Sequence, residues 1–198
     1  MEKLNSVLLV CMVLCAVFVV ISCASTKSSE QKDSVQTDQV DIKSENVKSS
    51  LISIDKPVNA ADFTLEDAKG EMHTLSDYKG KVLIISFWAT WCHACKMEMD
   101  FLKKLKRKYE DQGLEVLSIN IDSPDEKSVA VSVSRSKRLN FPVLFDSDSS
   151  VANQYNPGLQ LPYSVIVDRN QRIRNILQGF VPSEEEHIEN SVEKLVGE

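Results

Sequence analysis

The chain has 198 residues, 42% of them hydrophobic and 26% charged, and carries a formal net charge of −6. A mildly acidic balance argues against nucleic acid as a partner. The length suits one domain with a core of its own, together with shorter appended segments.

The first element is not fold. After Met1-Glu2-Lys3 comes a continuous apolar run from Val7 to Ile21, 15 residues long. That is short of the ~20 needed to span a bilayer and reads as the apolar region of an export signal over residues 1–22. The run ends Val20-Ile21-Ser22-Cys23, which resembles a bacterial lipobox, so Cys23 is expected to be lipidated and to become the mature N-terminus. An uncleaved anchor helix, or an ordinary signal cut nearby, are the plainer readings of the same run. Cysteine arithmetic favours the lipid. Of five cysteines, the signal removes Cys11 and Cys15 and lipidation uses Cys23, leaving Cys92 and Cys95 as an even pair. Such a protein belongs outside the cytoplasm, where disulfides persist.

From Ala24 to Lys56 the chain is rich in Ser, Lys, Asp and Glu and has no aromatic residue, Gly or Pro. That composition buries too little apolar surface to offset its ordering entropy. Residues 23–56 are therefore read as a lipidated N-terminus and a flexible tether. About 33 residues of coil reach roughly 30 Å. Residues 57–198 are left as the domain.

The domain then alternates. Asp62–Leu65 and Glu71–Thr74 flank Asp67-Ala68-Lys69-Gly70, a hairpin signal. Lys81–Trp88 is a buried type of strand, His93–Glu110 a helix ending before Gly113, and Leu114–Ile121 a strand. A serine-rich helix follows over Asp125–Leu139, then a short strand at Pro142–Phe145 and a short helix at Ser149–Tyr155. Tyr163–Asp168 and Arg172–Gln178 form a second hairpin, and Ser183–Val196 a last helix, capped by Ser183 with Glu184, Glu185 and Glu186 in its first turn. Strand–helix–strand alternation followed by a hairpin and a helix is α/β with parallel central strands. There are no internal repeats.

The chemistry lies at Phe87-Trp88-Ala89-Thr90-Trp91-Cys92-His93-Ala94-Cys95-Lys96, where a strand feeds a helix. Residues i and i+3 are neighbours in a first helical turn, close enough to close a disulfide with little backbone movement. The unpaired N–H groups and positive dipole of that turn also stabilise a thiolate at the first cysteine. Cys92 and Cys95 thus form a dithiol redox site. Glu98 lies at i+3 from Cys95, on the stripe it shares with Leu102 and Leu105. A carboxylate desolvated there has a raised pKa suited to moving a proton to or from Cys95. The bland alternative is a surface Glu paired with a neighbouring Lys.

Trp-Cys-x-x-Cys at a strand–helix junction, with Pro162 opening a later strand, resembles the thioredoxin superfamily, and within it the TlpA/ResA-like membrane-tethered thiol–disulfide oxidoreductases. Further motifs agree in order: Leu-Ser-Asp-Tyr-Lys-Gly-Lys at 75–81, Phe-Pro-Val-Leu-Phe-Asp at 141–146 and Leu-Pro-Tyr-Ser-Val-Ile-Val-Asp at 161–168. The likeness covers nearly all of residues 57–198. It implies a thioredoxin-like fold, a central mixed sheet flanked by helices, with an N-terminal β-hairpin and an extra helix–strand insertion around Asp122–Phe145. It also implies a cis peptide at Leu161–Pro162 facing the dithiol, with the Leu161 backbone free to pair with a substrate chain. Trp91 is expected to border the reactive sulfur, and Trp88 to be core.

The departures from the family pattern are informative. Thioredoxin has a buried aspartate beneath its cysteines, and that position here is Ser86, which cannot act as a base. The acid of the TlpA/ResA-like pattern falls at Glu98, but the helix-kinking proline two positions later is Asp100. Between the cysteines stand His93 and Ala94, without proline. His93 either favours the Cys92 thiolate, making the pair more oxidising, or is simply solvated. The basic segment Lys103, Lys104, Lys106, Arg107 and Lys108 reads as a solvated face, and His73 and His187 as surface residues.

These features point to an extracytoplasmic thiol–disulfide oxidoreductase, a membrane-anchored lipoprotein on the periplasmic side, acting as a monomer with the Cys92–Cys95 disulfide as its redox group and no metal. The resemblance implies protein thiol and disulfide substrates, such as those of cytochrome c maturation, and a membrane dithiol as electron donor. Two other readings stay open: a dithiol module for Cu(I) or haem, and a peroxiredoxin-like peroxidase. The second would want a Thr three residues before its reactive cysteine, where Ala89 stands. A zinc finger would need a second Cys pair, and covalent haem a His where Lys96 follows Cys95.

Overall fold

The computed structural model describes residues 51–198, so the export signal, Cys23 and the tether up to residue 50 lie outside the described residues. The chain runs β1 (Leu51–Asn59), β2 (Thr64–Glu66), β3 (Met72–Thr74), β4 (Val82–Trp88) and α1 (His93–Tyr109). It continues β5 (Leu114–Asn120), α2 (Lys127–Lys137), β6 (Val143–Phe145), α3 (Ser150–Tyr155), β7 (Tyr163–Val167), β8 (Arg172–Gln178) and α4 (Glu185–Val196). Six strands form one sheet in the order β1–β8–β7–β4–β5–β6. β4, β5 and β6 are parallel, and β7, β8 and β1 are added antiparallel. The hairpin β2–β3 stands apart and touches the main sheet through a bridge between Asp67 and Leu144. The mixed sheet, the N-terminal hairpin and the inserted α2–β6 unit are all present, as the resemblance implied.

β4 shows why the sequence folds this way. It is buried along its whole length, and a central strand covered on both faces reads as a continuous apolar run. Val82 and Ile84 face a layer that includes Phe101, Leu102 and Leu105 of α1 and Ile188, Val192 and Leu195 of α4. Leu83, Ile85 and Phe87 face the other way, onto Phe63, Leu75 and the α3 residues Val151, Ala152 and Tyr155. Ser86 is the one polar residue of β4, and its two-residue period turns it toward α1.

Several expectations are corrected. The fold does not begin at Pro57, because Leu51–Asn59 is an edge strand paired with β8, Leu51 opposite Leu177 and Asn59 opposite Arg172. An edge strand needs one paired side and one anchor, and Leu51 supplies the anchor by packing on the α1–α4 core. Its register slips between Ser53 and Val58, around Pro57, which has no N–H to give a ladder. Ser183 does not cap the last helix. It sits inside a 3₁₀ turn, Pro182–Glu184, and α4 starts at Glu185 without a side-chain cap. The basic stretch of α1 is not all solvated, since Lys106 is buried and pairs with Glu115 at 3.2 Å and Glu110 at 3.9 Å. His73 is half-buried, sharing a 2.6 Å hydrogen bond with Tyr78 and lying 3.5 Å from Asp67. Asp100, at the proline position of the family pattern, bonds Lys137 of α2 at 2.7 Å, and α1 is unbroken.

The sheet end opposite the cysteines is tied by one guanidinium. Arg169 donates to the carbonyls of Gly80, Gln112 and Val196 at 2.8–3.0 Å. Gly113, at φ 88°, passes so close that a Cβ there would meet Arg169 Nη1 at 3.2 Å. Beside it, buried Asp168 shapes the β7–β8 turn, accepting from the backbone N–H of Asn170 and Arg172 and from the side chains of Arg172 and Arg174. Burial works against its ionisation, but these donors outweigh it and hold the carboxyl below its ordinary value. Asp168→Ala strips this turn of its acceptor, and urea denaturation is expected to show a loss of about 2–3 kcal/mol.

Candidate active site

β4 ends at Trp88 and α1 begins at His93, so the four residues between them are set by both elements. Ala89 to Cys92 form a tight turn, closed by the Cys92 N–H donating to the Ala89 carbonyl at 3.1 Å. The turn is held from the next strand. Asp122, just past β5, accepts from the Thr90 N–H at 2.8 Å and from the Asn120 side chain at 2.7 Å. The Ile121 N–H also donates to the Trp88 carbonyl at 3.0 Å. Asp122 was not singled out from sequence, where it reads as one more loop acid.

The cysteines are disulfide-bonded, with Cα atoms 5.3 Å apart. Cys92 is the N-cap of α1, and its sulfur accepts the Cys95 N–H at 3.1 Å. When the pair is reduced, the same N–H and the helix dipole favour a thiolate at Cys92. The two cysteines are both buried but not equally so. Cys92 is 6% exposed and Cys95 fully buried. Trp91, by contrast, is 72% exposed, a large apolar side chain in water directly beside Cys92. His93 is exposed on the first turn of α1. The Leu161–Pro162 peptide is cis, and Leu161 packs against the cluster that contains both cysteines, Trp88 and Met99.

Glu98 lies one turn beyond Cys95 and is buried, which rules out the surface reading. It faces the sheet, not a lysine. Its Oε2 accepts from Ser86 of β4 at 2.9 Å and its Oε1 from Ser164 of β7 at 2.8 Å. Ser86 and Ser164 are directly opposed in the antiparallel β4–β7 pair. Burial raises the Glu98 carboxyl to about 7, and the two hydroxyls only partly oppose it. Sequence reading treated Ser86 as the loss of a base and did not notice Ser164. A usable signal existed, because a lone hydroxyl inside an otherwise apolar strand needs a buried partner.

The cysteine pair thus has one residue with a small exposure at a helix end, one fully buried, and a carboxyl of near-neutral pKa on the next helix turn. Such a site can exchange disulfides and store or release the proton this requires. Among the described residues, one further donor cluster, Asp67, Glu71 and His73, is found on the β2–β3 hairpin. There Asp67 already accepts from the Lys69 and Glu71 N–H groups.

Comparison with known proteins agrees with this chemistry. The model of the AhpC/TSA family matches residues 57–176. Over 133 residues the chain is 38% identical to the thiol-disulfide oxidoreductase ResA of Geobacillus kaustophilus, covering 66% of this chain and 75% of that protein. Over 135 residues it is 33% identical to the thioredoxin-like protein YneN of Bacillus subtilis, covering 68% and 78%. The crystal structure of a candidate thiol:disulfide interchange protein DsbE from Chlorobium tepidum superposes with a TM-score of 0.67 at 29% identity, over 73% of this chain and all of that one.

The raised carboxyl has a consequence for stability. Between its ordinary value of 4.5 and about 7, folded Glu98 keeps a proton that the unfolded chain has released. Stability therefore falls as pH rises through that window, by about 3 kcal/mol over its full width, and the loss stays constant above it. Glu98→Gln cannot ionise and removes this fall. Denaturant unfolding of the oxidised protein between pH 4 and 8 should show the wild-type losing stability relative to the variant. Parallel pH curves would reject the raised value.

Proposed function

The chain belongs to the AhpC/TSA family and is a ResA-like thiol–disulfide oxidoreductase working through Cys92 and Cys95, and from that premise we propose that it reduces disulfides of exported proteins outside the cytoplasm. The observation that carries the mechanism is the asymmetry of the pair: Cys92 caps a helix beside the exposed Trp91 and keeps a small exposure, whereas Cys95 is fully buried one helical turn before Glu98.

In the reducing direction, the Cys92 thiolate attacks one sulfur of a substrate disulfide. A Cys92–substrate bond forms, and the other substrate sulfur leaves as a thiolate that takes a proton from water. Cys95 then gives its proton to ionised Glu98 and attacks the Cys92 sulfur. The second substrate thiolate departs, and two electrons have passed from the protein to the substrate. A membrane dithiol returns them by the same exchange run backwards, and Glu98 gives its proton back to Cys95. Near-neutral ionisation suits both duties. The exposed Trp91 and the Leu161–Pro162 segment form the docking edge for the substrate chain, and His93 borders it.

Location follows from the N-terminal segment. The apolar run Val7–Ile21 and the junction Ser22-Cys23 support export and lipidation at Cys23, with the chain up to the first strand as tether. A tethered reductant of this kind suits exported proteins whose cysteines must be kept as thiols, such as apocytochrome c before haem attachment.

Cys92→Ser is expected to abolish turnover of a protein disulfide, and Cys95→Ser to accumulate covalent mixed disulfides visible on non-reducing gels. Glu98→Gln should slow release of the mixed disulfide about 100-fold. Disulfide reduction retained by Cys92→Ser would defeat the mechanism. So would stoichiometric Cu(I) on the reduced protein with no disulfide turnover.

A further inference from the structure

The central polar contacts of the fold are those between Glu98 and the sheet. We propose that Ser86 and Ser164 are positioning residues, a two-hydroxyl clamp that holds the Glu98 carboxylate beneath Cys95 and sets the pH at which the buried cysteine can be deprotonated. This deepens the reading of Glu98 as the proton acceptor of Cys95, and rests on it.

Three features converge. The β4–β7 register places the two serines side by side on the same face of the sheet. α1 crosses that face and brings Glu98 down between them, so each carboxylate oxygen has its own donor, at 2.9 Å and 2.8 Å. All three residues are buried, with Glu98 at 1% exposure.

The ionised state gains more from this geometry than the neutral one. A carboxylate accepts from both hydroxyls at once in charge-assisted bonds, whereas a protonated carboxyl keeps both contacts as weaker neutral bonds, donating in one of them. Each hydroxyl therefore stabilises the charged form selectively and lowers the proton affinity that burial raises. A hydroxyl does this without titrating and without adding a charge that would disturb the thiolate.

Among the described residues, Ser86 and Ser164 are the groups that hydrogen-bond the Glu98 carboxyl. From its own helix the titratable neighbour is Cys95, one turn earlier. From the sheet, β4 and β7 present the two serines, and β5 presents Ser118 and Asn120, paired with Ser86 and Trp88 and uncharged. Among the described residues no charged side chain contributes to the Glu98 ionisation; burial and the two hydroxyls account for its direction.

The test uses the full chain. The Glu98 carboxyl is titrated by infrared difference spectroscopy against Glu98→Gln, and the Cys95 thiol of the reduced protein by thiolate absorbance. Ser86→Ala and Ser164→Ala are each expected to raise the Glu98 midpoint by about one pH unit, a hydrogen bond to a charged group being of that strength. The pH at which mixed disulfides resolve should move with it. Ser86→Thr and Ser164→Thr keep a hydroxyl, so the variant of either pair that folds with native thermal stability should keep the wild-type midpoint. If one alanine variant fails to fold, the other carries the measurement.

An unchanged Glu98 midpoint in a folded alanine variant overturns the clamp. A shifted midpoint in the serine variants, with resolution in Glu98→Gln as fast as wild-type at every pH, leaves the clamp standing and overturns the role of Glu98 as proton acceptor.

Discussion

An α-helix that begins at a cysteine points its first N–H groups at sulfur, and the protein is arranged to hold that end of α1 still. The Cys95 N–H reaches the Cys92 sulfur only because β4 stops at Trp88 and the chain turns at once. The turn is fastened from the side by Asp122 at the end of β5, and the helix from beneath by its apolar stripe on β4. Two elements adjacent in sequence, β4 and α1, thus meet at an angle fixed by a third that arrives later. Loosening any of these contacts would leave the thiolate with one fewer donor.

Three buried carboxylates, Asp67, Asp168 and Glu98, fall into two kinds according to their donors. Asp67 and Asp168 accept from backbone N–H groups within turns, Asp168 also from arginine. Both stay below the ordinary carboxylate value although burial opposes it. They are turn anchors, charged at any physiological pH. Glu98 has neither a backbone N–H nor a cation, only two neutral hydroxyls, and burial wins. The same side-chain chemistry becomes scaffold in one setting and a titrating group in the other, according to the number and charge of its donors. Asp146, which caps α3 through the Val151 and Ala152 N–H groups, is raised by burial and so sits between the two kinds.

Much of the fold was legible because the local signals were strong. The run from Val82 to Trp88 reads as a strand covered on both faces, and Cys92 followed by a polar, helix-forming segment reads as a strand–helix junction. The edge strand Leu51–Asn59 was not legible. Its burial follows no two-residue alternation, and its Lys, Asp and Ser residues resemble those of the tether before it. Its partner β8 lies more than a hundred residues further along the chain. Lys106 misled in the same way, as a lysine in a basic run whose acidic partner Glu115 is brought to it by β5.

The site divides along the same line. By itself, the sequence determined the reactive pair, the order of its elements and the stripe that carries Glu98, since these depend on residues within a turn or two of one another. Only the tertiary structure decided that Cys95 is fully buried while Cys92 keeps a small exposure, that Asp122 holds the active turn, and that Ser86 and Ser164 meet the two oxygens of Glu98. Accessibility and hydrogen bonding across strands are set by register and packing between distant segments. A carboxyl's ionisation depends on both, so its near-neutral value becomes readable only once the sheet has closed beneath the helix.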